Sequence, residues 1–252
     1  PWVEASSPDW LTRSRCLPGR VEGVSVVSGD LSLIGTLRGW GIGPVLAATV
    51  SEGAIATAST GVALSADVEI GSVSKGLTGL LYEEALERGE VERTSRLGDL
   101  LPQLSRAAAA SVTLESLATH RSGLPRLPRG MAAGRRTLDL LVRGRNPYGD
   151  SLAVILAHTR KTPVARRPRP SYSNLGFALL GHAVAAGAGC SYAELVERRL
   201  ASPLGLTSLY APLTTADLRP TALRGTSRDG RRRDPWVGEG IAPAGGLRAS
   251  IH

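Results

Sequence analysis

The chain has 252 residues, enough for one large domain or two interleaved ones, and 42% hydrophobic with 21% charged residues is the balance of a globular protein with a sizeable core. Its formal net charge of +8 raises the question of a nucleic-acid partner. Lys75 and Lys161 are the only lysines, and the arginines scatter, with short clusters at Arg166, Arg167 and Arg169 and at Arg231, Arg232 and Arg233 among Pro, Gly and Asp. With one Phe and no aromatic residues interleaved among these arginines there is no base-stacking platform, so nucleic acid is not expected as a partner and an Arg- and Ala-rich coding bias accounts for the charge.

Residues 1 to 44 show only Pro, Gly and Trp punctuation around short apolar runs and are left unassigned. The chain starts at Pro1 without a charged-then-apolar leader, so any signal peptide is expected to have been removed or never to have existed. The apolar stretch from Gly23 to Val50 carries Asp30, Arg38 and several glycines and makes a poor membrane span. Val45 to Val50, the Ser51-Glu52-Gly53 turn and Ala54 to Thr60 read as a β-hairpin. Ala66 to Ile70 and Gly71 follow, and then Ser72 to Arg88, where Val73, Leu77, Leu80, Leu81 and Ala85 recur at helical spacing and Gly89 is a plausible stop. This is a strand-to-helix junction with a serine at the helix start. Helices are predicted over Leu97–Leu104, Thr113–His120, Thr137–Val142, Ser151–His158, Leu175–Ala186 and Tyr192–Leu200, making the middle of the chain mostly α. Cys16 and Cys190 have no second Cys or His at metal-ligand spacing, so neither a zinc site nor a disulfide framework is expected.

Two short segments carry chemistry. In Ser72-Val73-Ser74-Lys75, positions i and i+3 share a helix face, so hydroxyl and amine can meet. A serine needs a base to become a nucleophile, a lysine can serve only if its surroundings favour the neutral form, and a helix N-terminus stabilises developing negative charge. Taken alone, the pattern also fits a helix-capping serine followed by a solvated lysine. With 24 serines and 2 lysines, however, roughly 0.2 chance matches are expected. In the second segment, Tyr172-Ser173-Asn174, alternate residues at the start of a helix can face one cleft. A tyrosine beside an ammonium group can act as a general base, and an Asn amide can orient a carbonyl. By itself this tripeptide reads more readily as an exposed loop Tyr with an Asn cap.

The order of segments is more specific than any one of them. Ile70-Gly71-Ser72 to Lys75, Val112 to Pro125 with its Thr119-His120-Arg121-Ser122-Gly123 core, Tyr172 to Asn174, Pro203 to Thr207 and Ala244-Gly245-Gly246-Leu247 together resemble the serine β-lactamase-like, penicillin-binding hydrolases. That family comprises class C β-lactamases, D-Ala-D-Ala peptidases and related esterases, and the resemblance covers roughly residues 45 to 252. It implies an α+β fold, an antiparallel sheet flanked by helices plus a mostly helical second domain. In that reading residues 45–90 form the first part of the sheet domain with the nucleophile helix, 91–235 the helical domain, and 236–252 an incomplete return. It also implies Ser72 as acyl-accepting nucleophile, Lys75 as partner in proton transfer, Tyr172 as base or relay, and Asn174 as ligand of Lys75 and of the substrate amide. The base is left open between Lys75 and Tyr172. The Ser72 backbone N–H would supply half of an oxyanion hole.

The reaction implied is attack on an amide, β-lactam or ester carbonyl of a small-molecule or peptide substrate, without metal or organic cofactor, in a secreted, periplasmic or cell-envelope setting. A penicillin-binding or sensor homologue that does not hydrolyse is the alternative. His120, His158 and His182 are read as structural, His120 fixing the loop before Gly123-Leu124-Pro125, since no Gly-x-Ser-x-Gly elbow surrounds any serine. No Lys-Ser/Thr-Gly or His-x-Gly triplet follows Gly246, and the family's last strands are expected to be missing. These 252 residues by themselves are therefore expected to leave a sheet edge uncovered, to be weakly active and to aggregate.

Overall fold

The computed structural model of the chain describes residues 27–39, 44–128, 138–166, 168–227 and 230–251. Cys16, Thr137 and Arg167 lie outside them. The described residues divide into two compact units, one reaching to Leu64 and the other over Ser65–Ser250.

The first unit is built on the hairpin read from the sequence. Strands β2 (Val45–Ser51) and β3 (Ala54–Thr60) pair antiparallel from Val45↔Thr60 to Ser51↔Ala54. Glu52 and Gly53 both take positive φ, +49° and +81°, the two-residue turn whose twist matches that of the strands it joins. Two elements that the sequence left unassigned complete the unit. Strand β1 (Val27–Gly29) pairs with the other edge of β3, giving the order β1-β3-β2, and helix α1 (Leu31–Gly39) follows it. Ile34 packs on Ala58, with Leu33, Val45 and Ala47 around them. The cross-strand pair Val50 and Ile55 is exposed, at 74% and 70%.

The second unit is organised around one apolar helix. Strand β4 (Val68–Glu69) leads through a 3₁₀ turn over Gly71–Val73 into α2 (Ser74–Glu87), followed by α3 (Leu97–Leu100), α4 (Leu114–Ala118), α5 (Leu152–Arg160), α6 (Asn174–Gly187), α7 (Tyr192–Val196), α8 (Ala242–Gly245) and β5 (Arg248–Ala249). Every residue of α6 from Leu175 to Ala185 is buried, as expected of a helix that is apolar all round. Leu81, Tyr82 and Ala85 of α2, Leu97 of α3, Leu114 and Leu117 of α4, Ile155 and Leu156 of α5 and Leu195 and Val196 of α7 belong to the same core. No single helix among the described residues is long and apolar enough to cross a membrane.

The helices differ from the sequence reading for local reasons, and the predicted Leu97–Leu104 helix ends at Leu100, with Pro102–Leu104 forming a 3₁₀ turn. The buried face of α2 is Ser74, Lys75, Thr78, Leu81, Tyr82 and Ala85, whereas Val73 and Leu80, counted as core positions, are exposed. Helix α4 is shorter than Thr113–His120 because Thr113 is its cap, accepting from the Ser116 N–H, and His120 turns out of the helix at φ +57°. The predicted Tyr192–Leu200 helix relaxes into a π turn over Glu197–Ala201.

Helices α6 and α8 approach so closely that only glycine fits at position 181. A Cβ there would stand 2.3 Å from Pro243 Cβ and 3.0 Å from the Tyr192 ring. Gly181→Ala is therefore expected to push α8 away at a cost of about 1–3 kcal/mol, as overpacked cores do, lowering the melting temperature of the protein. A melting curve superimposable on that of the parent would show that α8 is not held by this contact.

Candidate active site

The site begins where β4 becomes α2. Strands β4 and β5 pair antiparallel, Val68↔Ala249 and Glu69↔Arg248, and the Ile70 N–H donates to Leu247 O at 3.1 Å. Gly71, at φ +53°, makes the corner, a conformation few other residues take without strain. Ser72 is thereby set at the strand-to-helix junction, as the sequence suggested, exposed and two residues ahead of the first residue of α2.

Arg248 anchors this junction from behind. Its side chain is fully buried, with Nε donating to Asp67 Oδ1 at 2.6 Å and Nη2 donating to the Asp67 and Leu223 carbonyls at 2.9 and 2.8 Å. Asp67 also accepts from the Tyr210 hydroxyl and from Thr221 Oγ1. Arg248 Nη1 reaches Glu69 Oε1 at 3.3 Å, and that oxygen accepts the Trp236 N–H at 2.8 Å. The Trp236 ring meets Tyr148 edge-on, with centroids 4.9 Å apart.

One helical turn places Lys75 beneath the serine, 7% exposed. Its Nζ donates to Ser72 Oγ at 3.3 Å and to the Ala244 carbonyl of α8. Thr78, one turn further on, ties α2 to the same region: its hydroxyl lies 2.7 Å from both Tyr192 OH and Pro243 O. Tyr172 completes the cluster, its hydroxyl 2.7 Å from Ser72 Oγ and its ring centroid 4.8 Å from Lys75 Nζ.

What holds Tyr172 there is the segment from His120 to Arg126. Ser171 N–H donates to the His120 carbonyl at 2.9 Å, Ser173 N–H to His120 Nδ1 at 3.2 Å, and Leu175 N–H to the Arg126 carbonyl at 3.1 Å. Ser173 caps α6, accepting from the Gly176 N–H, and its hydroxyl donates to Pro125 O at 2.7 Å. The two sequence segments are thus one object, a backbone cradle and the tripeptide it grips. His120 grips that tripeptide rather than only shaping its own loop. His182, by contrast, is buried against the Glu239 and Gly240 carbonyls, away from this cluster's hydrogen bonds.

Asn174 opens α6 and lines the same cleft, but it makes no hydrogen bond to Lys75. Its Oδ1 is buried without a partner. The cleft, about 140 Å³, is bounded by Gly71, Ser72, Arg126, Asn174, the Tyr148–Trp236 pair and Ile241 with Ala244 to Gly246. No carboxylate side chain is among these residues, and Arg126 sits 5.8 Å from the Tyr172 ring centroid. Burial works to raise the Tyr172 pKa, but hydrogen bonding with Lys75 and Ser72 and the positive charges of Lys75 and Arg126 outweigh it, so the phenol is more acidic than usual. A larger hollow of about 310 Å³ over Asp139, Arg145, Asn146 and Asp150 holds no nucleophile. Among the described residues no three His, Cys, Asp or Glu side chains converge as metal ligands would.

The Beta-lactamase family model matches residues 45–252, and the chain belongs to that family. Among curated proteins it is 33% identical over 131 residues to the D-alanyl-D-alanine-carboxypeptidase/endopeptidase AmpH of Escherichia coli (strain K12), a match covering 50% of this chain and 32% of that one. Among solved structures it is similar to the D-alanine carboxypeptidase AmpC from Burkholderia cenocepacia (25% identity, TM-score 0.65, 86% of this chain and 58% of that one). It also shares the fold of a class C β-lactamase from Rhodobacter sphaeroides (23% identity, TM-score 0.65, 86% and 60%). The chain spans about a third of the curated relative's length and about three fifths of these structures'. The fold is the α+β arrangement of β-lactamases and transpeptidases that the ordered segments implied.

Proposed function

We propose that the protein is a serine hydrolase working through a covalent acyl-enzyme, with Ser72 as nucleophile and Tyr172 as its proton acceptor. The observation that carries this reading is the Ser72 hydroxyl held 2.7 Å from an acidified phenol and 3.3 Å from Lys75 Nζ on the floor of a cleft. A general base has to lie within hydrogen-bond reach of the proton it takes, and the shorter contact favours Tyr172 over Lys75. Tyr172 takes the Ser72 proton as Oγ attacks the substrate carbonyl. Lys75, fixed by the Ala244 carbonyl, holds the serine and phenol oxygens in place. The Ser72 N–H at the start of the helical turn is the donor we assign to the developing oxyanion. Tyr172 then returns the proton to the leaving group, and water releases the acyl chain by the same steps in reverse order.

The unpartnered Asn174 Oδ1 is an acceptor for an N–H of the substrate, since a buried oxygen without a partner gains a full hydrogen bond when one arrives. That favours a substrate with an amide beside its reacting carbonyl, and a cleft lined by Arg126 but by no carboxylate, with Lys75 buried beneath its serine, favours an anionic one. A D-alanyl peptide or a β-lactam meets both conditions. The test is to incubate the protein with a D-alanyl-D-alanine peptide, a chromogenic cephalosporin and a short-chain nitrophenyl ester, following intact mass and product together. An acyl adduct mapped to Ser72 with steady product release from at least one substrate is the expected result. An adduct without turnover would make the protein a binding homologue, and no adduct from any of the three would overturn the reading.

A further inference from the structure

Resting on Tyr172 as proton acceptor, we propose that His120 is a positioning residue for it, fixing the phenol against Ser72 only while its imidazole is neutral. Two backbone hydrogen bonds and two ring contacts carry the proposal. His120 receives the Ser171 N–H on its carbonyl and the Ser173 N–H on Nδ1, so it grips the chain on both sides of Tyr172. Its ring lies 4.8 Å from the Tyr172 ring and 4.8 Å from Phe177, centroid to centroid, filling the space between them. An imidazole that accepts at Nδ1 carries its single proton on Nε2, so the tautomer is fixed by the grip.

Protonation would put a second N–H where the Ser173 N–H already points, turning an acceptor into a donor facing a donor. Lys75 lies over the Tyr172 and Phe177 rings that sandwich the imidazole and acts on it by its charge, and Arg126 lies over the Tyr172 ring, whose phenol is the other titratable group packed on His120. Burial, and then the charge of Lys75, hold the His120 pKa below its ordinary value near 6.5, which keeps the grip intact at neutral pH. His120 is also held at φ +57°, a conformation that Asn and Gly tolerate best. These facts allow the backbone and acceptor roles to be separated. Asn offers an oxygen close to the position of Nδ1 and accepts the backbone angle. Gly accepts the angle and offers nothing.

The experiment compares the parent protein with His120→Asn and His120→Gly, reading kcat and kcat/KM for nitrophenyl ester hydrolysis from pH 4.5 to 9, with melting temperatures alongside. In the parent, kcat/KM is expected to fall as Tyr172 takes up its proton and to steepen into a second acid limb, at a pH below about 6.5, as His120 gains its own. His120→Asn is expected to stay within about threefold in kcat and to lose that second acid limb, whereas His120→Gly is expected to lose about 100-fold in kcat with KM little changed, as small misplacements of a reacting group do. An unaltered second acid limb in His120→Asn overturns the proposal, and so does parental kcat in a folded His120→Gly. If His120→Gly melts early, the His120→Asn profile alone decides. Tyr172→Phe separates the two levels. Parental activity in Tyr172→Phe removes the catalytic reading itself, whereas loss there with parental kcat in His120→Gly removes only the positioning role.

Discussion

Ser72→Ala is expected to abolish acylation while leaving the melting temperature within about a degree of the parent, because the exposed hydroxyl is bonded only by the site it serves. Without the oxygen there is no bond to form with the carbonyl, and the residual reaction is what the cleft can do by holding substrate beside water. For residues acting as a catalytic unit the loss is large, on the order of 10⁴-fold or more in kcat. Tyr172→Phe keeps the ring and its contacts with His120 but removes the proton acceptor, and a lost general base costs about 10²–10⁴-fold. The pH dependence supplies the sign. In the parent, activity rises with pH as Tyr172 loses its proton, at a pH below the ordinary phenol value. In Tyr172→Phe that rise should vanish. Full activity in Ser72→Ala, with peptide mapping showing no adduct displaced to Ser74, would end the mechanism.

The second large effect is on stability. Arg248→Ala is expected to cost about 3–5 kcal/mol in denaturant unfolding, because it leaves the Asp67 carboxylate, 1% exposed, buried without its cation. Little of that figure is the worth of the ion pair itself. Replacing both partners by apolar residues, Arg248→Met with Asp67→Leu, should recover part of the loss. Recovery will be incomplete, since Tyr210, Thr221 and the Leu223 carbonyl would then lack the partners they have now. A loss below 1 kcal/mol in the single variant would mean that water reaches Asp67 and that the junction before Ser72 is held by strand pairing alone.

Much of this architecture could be read along the chain. The hairpin of β2 and β3 follows from alternating small and apolar residues around Glu52-Gly53, and the nucleophile junction from the spacing of Ser72 and Lys75 behind a glycine. Four of the five segments quoted for the family resemblance meet at one place: Ala244 supplies the carbonyl that holds Lys75 below Ser72, and the segment containing His120 holds Tyr172. The pairings themselves were not legible. Arg248 looked like one more arginine in an arginine-rich chain, yet it is buried where most are exposed, and nothing in its neighbourhood announces a partner 181 residues away. Periodicity reports which face of an element is apolar, not which distant polar group it meets. The same limit applies to Asn174, whose expected bond to Lys75 gives way to the Ala244 carbonyl.

The order in which the chain is made gives the Asp67–Arg248 pairing a further meaning. Lys75 waits on a carbonyl 169 residues downstream and Asp67 on a guanidinium 181 residues downstream. At about 5–20 residues per second, a ribosome takes roughly 10 to 40 seconds to add that stretch. Through that interval the serine and its lysine exist, but the buried charge that fixes their strand has no counterpart and the loop between them is open. Contacts of such sequence separation form late because closing the loop costs entropy before it returns any interaction. With Ser72 as the proposed nucleophile, the serine is made early and becomes competent late, so a nascent chain would carry no reactive serine until Ala244 and Arg248 have docked.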